Sequence, residues 1–534
     1  MLPAVNALTP TDLPRHEVPN SAPFTRLDLA VLGAVLVLGA INLAQPFGWD
    51  QAIFTIAARR MHEGAVLYRD IWDVKQPGLF LFYLLGGSAF GFTEIGIHVF
   101  ELLYLLIFSL VLQRCLKRVL AHPWVASITP LFVVGFYYAF VGDWHLTQAE
   151  GLAGFPMFCS LWWAVQAAES DRHRGRRLFL SGLCGGIVLA FKLLFLPLLL
   201  CLWVTVIASL ARRGRVAGGL AADVALVAGG TALPFILLAA YFAANGALQV
   251  AWWTNITYPL TVRAPHAENR FKWLVDGLSW FVARWAPLLG LASLAFFSPS
   301  RRPRGLVGLN LGLWCVAGLI VILIQPLSWW QYHYLLITVP VGVLAASGLD
   351  LLVGEAGWTE GRREALAVGT ALAMLCSWAV GAAALKALFF ANDRFALTAA
   401  GRLKHEIRMS RGNAYAKVLA DVRFLSAPGN RPGPIFVAGN PLVHWLSRRD
   451  PVLPRFGGVL TGYASAEEWT QIASGLRAKR PPYVFVQGDE LEGMQRTPER
   501  SGPFLALLAA DYRVVQQSRM GVWWELRDEA GHVR

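Results

Sequence analysis

The residues that could do chemistry are few, and each lies close to an apolar stretch. Asp50 stands in "FGWDQA", Asp70, Asp73 and Lys75 in "RDIWDVKQPG", and Asp143, His145 and Glu150 in "GDWHLTQAEG". Cations follow. Lys192 interrupts "GGIVLAFKLLFLP", Arg263, Arg270 and Lys272 share one loop, and His333 sits beside Tyr334 in "WWQYHYLL". A carboxylate among cations suits transfer of a sugar from a lipid phosphate. The carboxylate takes the proton of an acceptor hydroxyl, and the cations stabilise the departing phosphate. Each residue also has a simpler role to weigh. Asp50 could cap a helix, Glu150 could favour a helix N-terminus, and the lysines could snorkel to the membrane surface. An ionisable group close to hydrocarbon is nevertheless a functional candidate by default. Pro77 keeps the residue before it extended, so Lys75 is expected on a loop with its ammonium reaching outward. Asp73 is expected to be its positioning partner.

The elements that must hold these groups are membrane helices. The chain has 534 residues, 56% hydrophobic and only 15% charged, against about 25% charged in an ordinary soluble domain. Windows at 29–44, 100–112, 217–244, 305–324 and 365–389 carry almost no charge, and about 20 such residues span a bilayer. The net charge of +13 does not indicate nucleic acid, because many of the basic residues cluster in short loops between apolar spans. Arg114, Lys117 and Arg118 form one cluster, and Arg172, Arg174, Arg176 and Arg177 the next. Arg212, Arg213 and Arg215, then Arg301, Arg302 and Arg304, then Arg362 and Arg363 follow. Placing these loops in the cytoplasm gives about eleven spans with a cytoplasmic N-terminal segment, 1–28. The run 79–92 is short for a span and is expected to lie at the interface.

This topology puts a juxtamembrane loop, 46–96, and all the candidate residues on the outer side. Ile53, Ile56 and Ala57 recur at helical spacing after Asp50, which predicts an amphipathic helix along the membrane. Trp49, Trp144, Trp252, Trp253, Trp329, Trp330, Tyr332 and Tyr334 fall near predicted outer ends, as an interfacial belt would. The six cysteines, Cys115, Cys159, Cys184, Cys201, Cys315 and Cys376, lie in or beside apolar spans without metal spacing. No P-loop, dinucleotide fingerprint or H-E-x-x-H occurs. The one divalent-cation candidate is Asp50 with Asp143 or Glu150. From about residue 391 the composition becomes polar, and the runs 434–439, 482–487, 512–517 and 521–527 read as strands. Ser465 and Glu468 read as a capping box, so 391–534 is expected to be a small α/β domain on the outer side.

At these residues the sequence resembles the C-type glycosyltransferase (GT-C) superfamily. Within it, the chain is similar to the bacterial branch of the lipid A aminoarabinose transferase and the protein O-mannosyltransferases (glycosyltransferase family 39-like). The resemblance rests on the acidic residue after the first helix in "GWDQAIFTIAARRMHEGAVLYRDIWDVKQPG", on "LTQAEG", on the glycine-rich helix ending in Lys192, on "WWQYHYLLITVPVGVLAASGL", and on the tail "IFVAGNPLVHWLSRRDPVLPRF". Gln76 and Gly78 stand where relatives often have Pro and Leu. The resemblance implies an α-helical polytopic GT-C domain over 29–390 in the bacterial inner membrane, followed by a periplasmic α/β domain. It implies a polyprenyl-phosphate sugar donor, a lipid, glycan or protein acceptor, and no nucleotide. It also implies roles: Asp50 as base, Glu150 orienting hydroxyls, and Lys75, Lys192, Arg263 and His333 on the donor phosphate. Asp73, Asp143 and Tyr334 would support them.

Two other classes remain compatible with the residues. A transporter or flippase of lipid-linked sugars would often show inverted repeats and broken helices at the midplane; no such pairing is visible, and the charges cluster at one face. A non-catalytic subunit of an envelope glycan assembly complex could use basic residues such as Arg448, Arg449 and Arg455 to bind a partner or an anionic glycan.

Overall fold

The computed structural model describes residues 24–261, 270–297, 305–325, 329–355, 361, 369, 379–457 and 464–527. Among the described residues, seven helices are long and apolar enough to cross a membrane: Glu94–Leu116, Pro123–Phe140, Leu193–Arg212, Ala217–Ala244, Phe271–Ala295, Leu306–Leu323 and Gln331–Gly354. The charge alternation predicts about eleven spans. The difference has identifiable sources. The first helix, Arg26–Ala40, has 15 residues, and the helix Arg174–Phe191 opens on three arginines that dilute its apolar run. The clusters at 301–304 and 362–363 fall outside the described residues, as does about half of the span expected at 365–389, whose described part belongs mostly to the 13-residue helix Val380–Asn392. The helix Pro77–Phe90 has 14 residues, about 21 Å at 1.5 Å per residue, so it is too short to span straight.

The helix Trp49–His62 forms where the sequence predicts, but it is not half-exposed. Gln51 through Ala58 are all buried. Phe54 meets Phe80 and Tyr83 of the helix Pro77–Phe90 edge-on, at 5.6 and 5.5 Å between ring centroids. Close backbone approaches then fix the frame. A side chain at Gly186 would come within 2.5 Å of the Thr231 carbonyl, and Gly182 and Gly230 face the Val227 and Phe179 carbonyls. Small residues at this spacing let helices Arg174–Phe191 and Ala217–Ala244 touch, as in membrane helix pairs generally. Gly78 has a similar reason. A Cβ there would lie 2.6 Å from the Ala190 carbonyl oxygen, so glycine lets the loop carrying Lys75 close onto the segment that ends at Lys192.

The C-terminal sheet has the order β1-β2-β4-β3, with β1 Phe436–Ala438, β2 Tyr483–Gln487, β3 Tyr512–Gln517 and β4 Gly521–Leu526. The β1 and β2 strands are parallel and the other pairs antiparallel. All four coincide with the predicted runs. The Ser465 capping box is present: Ser465 Oγ accepts from the Glu468 amide at 3.3 Å, and Glu468 Oε2 accepts from the Ser465 amide at 2.7 Å. This unit is seated on the loop end of the bundle. Glu94 Oε1 accepts from Tyr415 at 2.9 Å and from the Trp445 indole at 2.6 Å. The Trp72 amide donates to the Pro454 carbonyl at 2.9 Å, and Arg59 pairs with Asp450 at 2.5 Å.

Gly186→Val should separate the two helices that carry Lys192 and the 217–244 wall. The expected outcome is loss of most monodisperse protein in detergent size-exclusion chromatography, whereas Gly229→Ala, which faces open space, leaves the yield unchanged.

Candidate active site

The start of the helix Trp49–His62 is anchored before it presents Asp50. The Gly48 amide donates to Gln51 Oε1 at 2.6 Å, and Gln51 Nε2 donates to the Leu146 carbonyl at 2.9 Å. Asp50 is the second residue of the helix, past the cap at Gly48, so its carboxylate is not used as the cap. It accepts from Gln148 Nε2 at 3.4 Å and lies 3.8 Å from Lys75 Nζ. Both side chains remain partly open, 22% and 29% exposed.

Lys75 is on a loop, as Pro77 requires, and the loop is tightly held. The Lys75 amide donates to Asp73 Oδ1 at 2.9 Å, and its carbonyl accepts from the Tyr68 hydroxyl at 2.7 Å. Tyr68 itself takes a left-handed backbone, φ 68°. Asp73 is buried, and burial raises its pKa to about 6 despite the opposing charge of Lys75. It is thus a positioning residue turned away from solvent. The Lys75 ammonium also lies 6.0 Å from the Tyr332 ring centroid.

Across the site, Lys192 Nζ donates to Glu150 Oε1 at 2.7 Å and to Gln325 Oε1 at 2.8 Å. His333 Nε2 stands 3.7 Å from the same Glu150 oxygen. Glu150 and His333 are nearly inaccessible, at 2% each. An ammonium has three donors, so two are engaged and one is left to point elsewhere. Glu150, expected to orient substrate hydroxyls, is instead the counter-charge of Lys192.

Two expected members are not part of this cluster, and a third is not among the described residues. Asp143 Oδ2 accepts from the Arg411 amide at 2.8 Å, with burial raising its pKa to about 6, so it ties the 141–148 loop to the C-terminal unit. The Tyr334 hydroxyl donates to the Leu274 carbonyl at 3.2 Å, and its ring stacks 5.8 Å from Phe281. It packs against a neighbouring helix. Arg263 lies outside the described residues. Of the acids suggested with Asp50 for a divalent cation, Asp143 is bonded by the Arg411 amide and Glu150 by Lys192. Among the described residues no group of three His, Cys, Asp or Glu could hold a metal.

Sequence reasoning missed Gln148, Gln325 and Glu101. Buried Glu101 accepts from Tyr137 at 2.5 Å and from the Thr147 amide at 2.9 Å. It thereby shapes the turn that delivers Gln148 and Glu150. Its signal was available, as a lone acid inside "FELLYLL".

Beside these groups opens an apolar cavity of about 810 Å³. Pro77 and Gly78 line it, two and three residues past Lys75, and Phe191 lines it next to Lys192. Phe82, Tyr104 and Leu237 complete its walls. The segments that carry the two lysines therefore contribute to one apolar space, although neither ammonium lines it, and Asp50 stands beside Lys75.

The overall fold matches two crystal structures of ArnT from Cupriavidus metallidurans. One, bound to undecaprenyl phosphate, superposes with a TM-score of 0.56 at 14% identity. The other, in the apo state, superposes with 0.57 at 15% identity. Each match covers 93% of this chain and 97% of the ArnT chain. No protein-family model matches the sequence, and no curated protein does. At this identity the likeness establishes a shared fold.

Removing one member of a buried ion pair leaves the other charge uncompensated and typically costs about 3 kcal/mol. Lys192→Met is therefore expected to lower the unfolding temperature in detergent more than the double variant Lys192→Met/Glu150→Gln does. Equal losses would show that the pair is not closed in the protein.

Proposed function

We propose that this chain is a membrane glycosyltransferase that moves a sugar from a polyprenyl-phosphate donor to a hydroxyl of a lipid, glycan or protein acceptor. The observation that carries the reading is Asp50 3.8 Å from Lys75, whose loop runs on into Pro77 and Gly78, which line the apolar cavity, as does Phe191 beside Lys192. A polyprenyl chain needs apolar volume, its phosphate needs cations, and the incoming hydroxyl needs a base. The shared fold with an ArnT bound to undecaprenyl phosphate supports the same assignment.

In this reading Asp50 takes the acceptor hydroxyl proton as the acceptor oxygen bonds to the anomeric carbon. The bond from that carbon to the phosphate oxygen breaks, and its electron pair goes to the phosphate. Lys75 and the remaining donor of Lys192 stabilise that charge where it develops. Polyprenyl phosphate leaves through the apolar cavity, and Asp50 returns its proton to water. Glu150, with His333 and Gln325, holds Lys192 in place, and Asp73 holds the Lys75 loop. The site would face the periplasm of a bacterial inner membrane, with a cytoplasmic N-terminus, about eleven spans over 29–390, and the unit 391–534 on the periplasmic side.

The test is mass spectrometry of intact lipids from a strain lacking the protein, complemented with wild type or Asp50→Asn. The expected result is accumulation of one polyprenyl-phosphate sugar and loss of one glycan mass, both reversed by wild type alone. An Asp50→Asn variant that restores the product would remove Asp50 from the chemistry.

A further inference from the structure

The tryptophans near Asp50 do not lie scattered around a perimeter. Trp49 meets Trp144 at 6.5 Å between ring centroids, Trp144 meets Trp330 at 6.0 Å, and Trp330 stacks on Trp273 at 4.8 Å with 24° between planes. Four separate segments supply these rings, so the contiguity is tertiary. One end abuts the site. Trp49 directly precedes Asp50, and Gln148 bonds both the Trp144 carbonyl, at 3.2 Å, and Asp50. Trp330 lies two residues before Tyr332, the neighbour of Lys75.

Three further observations separate this ladder from packing. First, none of the four rings lines the apolar cavity. Second, all four are partly open, Trp273 at 37% exposure. Third, several tryptophans that pack elsewhere use their N–H groups, although those of Trp285 and Trp524 are buried without a partner. Trp72 donates to Thr254 and Trp314 to the Leu336 carbonyl, each at 2.9 Å, and Trp523 donates to Asp421 at 3.0 Å. Among the described residues, the indole N–H groups of Trp49, Trp144, Trp330 and Trp273 have no protein partner. An anchoring belt would also leave N–H groups free, but it would not join its rings end to end beside a carboxylate. Arg411 adds a fork of donors, its guanidinium 4.6 Å above the Trp144 ring.

The geometry points to the Trp49–Trp144–Trp330–Trp273 ladder as the platform for a carbohydrate acceptor. The C–H face of a pyranose is weakly positive and seats on the negative face of an indole. Its hydroxyls take the free indole and guanidinium donors, and polar groups of this kind fix orientation in ligand sites. The inference rests on the transferase reading and narrows the acceptor to a glycan or glycolipid headgroup whose reacting hydroxyl reaches Asp50.

The test uses the full-length protein in the deletion strain and follows the rate at which the missing glycan mass returns after induction. Trp144→Leu/Trp330→Leu keeps apolar bulk but removes the indole faces and donors, and Trp330→Phe keeps one aromatic face. Stacked aromatic contacts are worth a factor of about ten, so the double leucine variant is expected to slow product at least that much, with Trp330→Phe recovering most of the rate. Undecaprenyl phosphate binding by the purified double variant should match wild type, which shows an intact fold and donor side. A double leucine variant that restores product at the wild-type rate overturns the ladder and leaves the transferase standing. So does an accumulating acceptor that contains no carbohydrate. A deletion strain with no change in any lipid-linked sugar removes both readings.

Discussion

A buried ammonium group needs a counter-charge or a ligand, and Lys192 and Lys75 meet that need differently. Lys192 meets this requirement with Glu150 at 2.7 Å and Gln325 at 2.8 Å. Lys75 meets it more loosely, with Asp50 at 3.8 Å. The contrast organises the site. Leaving a charge in an apolar medium costs far more than any single hydrogen bond returns, so the surrounding elements are built to bring acids and amides to these two positions. The Gly78 contact with Ala190 places both lysine-bearing segments side by side, and Glu101 shapes the turn that supplies Glu150 and Gln148. The C-terminal unit then clamps the loop end through Glu94, Asp143 and Trp72.

The looser pairing of Lys75 is where an anionic ligand can enter. A phosphate at that edge would stand beside Asp50 and within reach of the remaining Lys192 donor, while its hydrocarbon tail filled the cavity behind Pro77 and Phe191. The tryptophan ladder approaches Asp50 without entering that cavity. In the proposed reading donor and acceptor would thus have separate routes to one carboxylate, as a two-substrate transfer requires.

The sequence made the charged members of this site legible because the background is so apolar. Lys192 inside "LAFKLLF" and Asp50 after the first span stand out against it, and Pro77 is enough to put Lys75 on a loop. The four strands and the Ser465 box were also readable, since strand runs and capping are local. What was not readable depends on long separations. Gln148 reaches Asp50 across 98 residues and Gln325 reaches Lys192 across 133, and neither is charged. Asp143 and Tyr334 lie near the right residues in sequence, but the local turn sends one to Arg411 and the 3₁₀ segment Gln331–Ile337 sends the other to Leu274. The buried helix Trp49–His62 reads as amphipathic because its covering layer comes from elsewhere in the chain.

The central claim is that Lys75 and Lys192 recognise a phosphate whose lipid tail occupies the adjoining cavity. Binding of undecaprenyl phosphate and of undecaprenol to purified wild type and Lys75→Met, measured side by side by native mass spectrometry, tests it most directly. The account predicts that wild type prefers the phosphate, that Lys75→Met loses the preference, and that undecaprenol binding is the same in both proteins. Equal binding of the two lipids to wild type, or an undiminished preference in Lys75→Met, would contradict it.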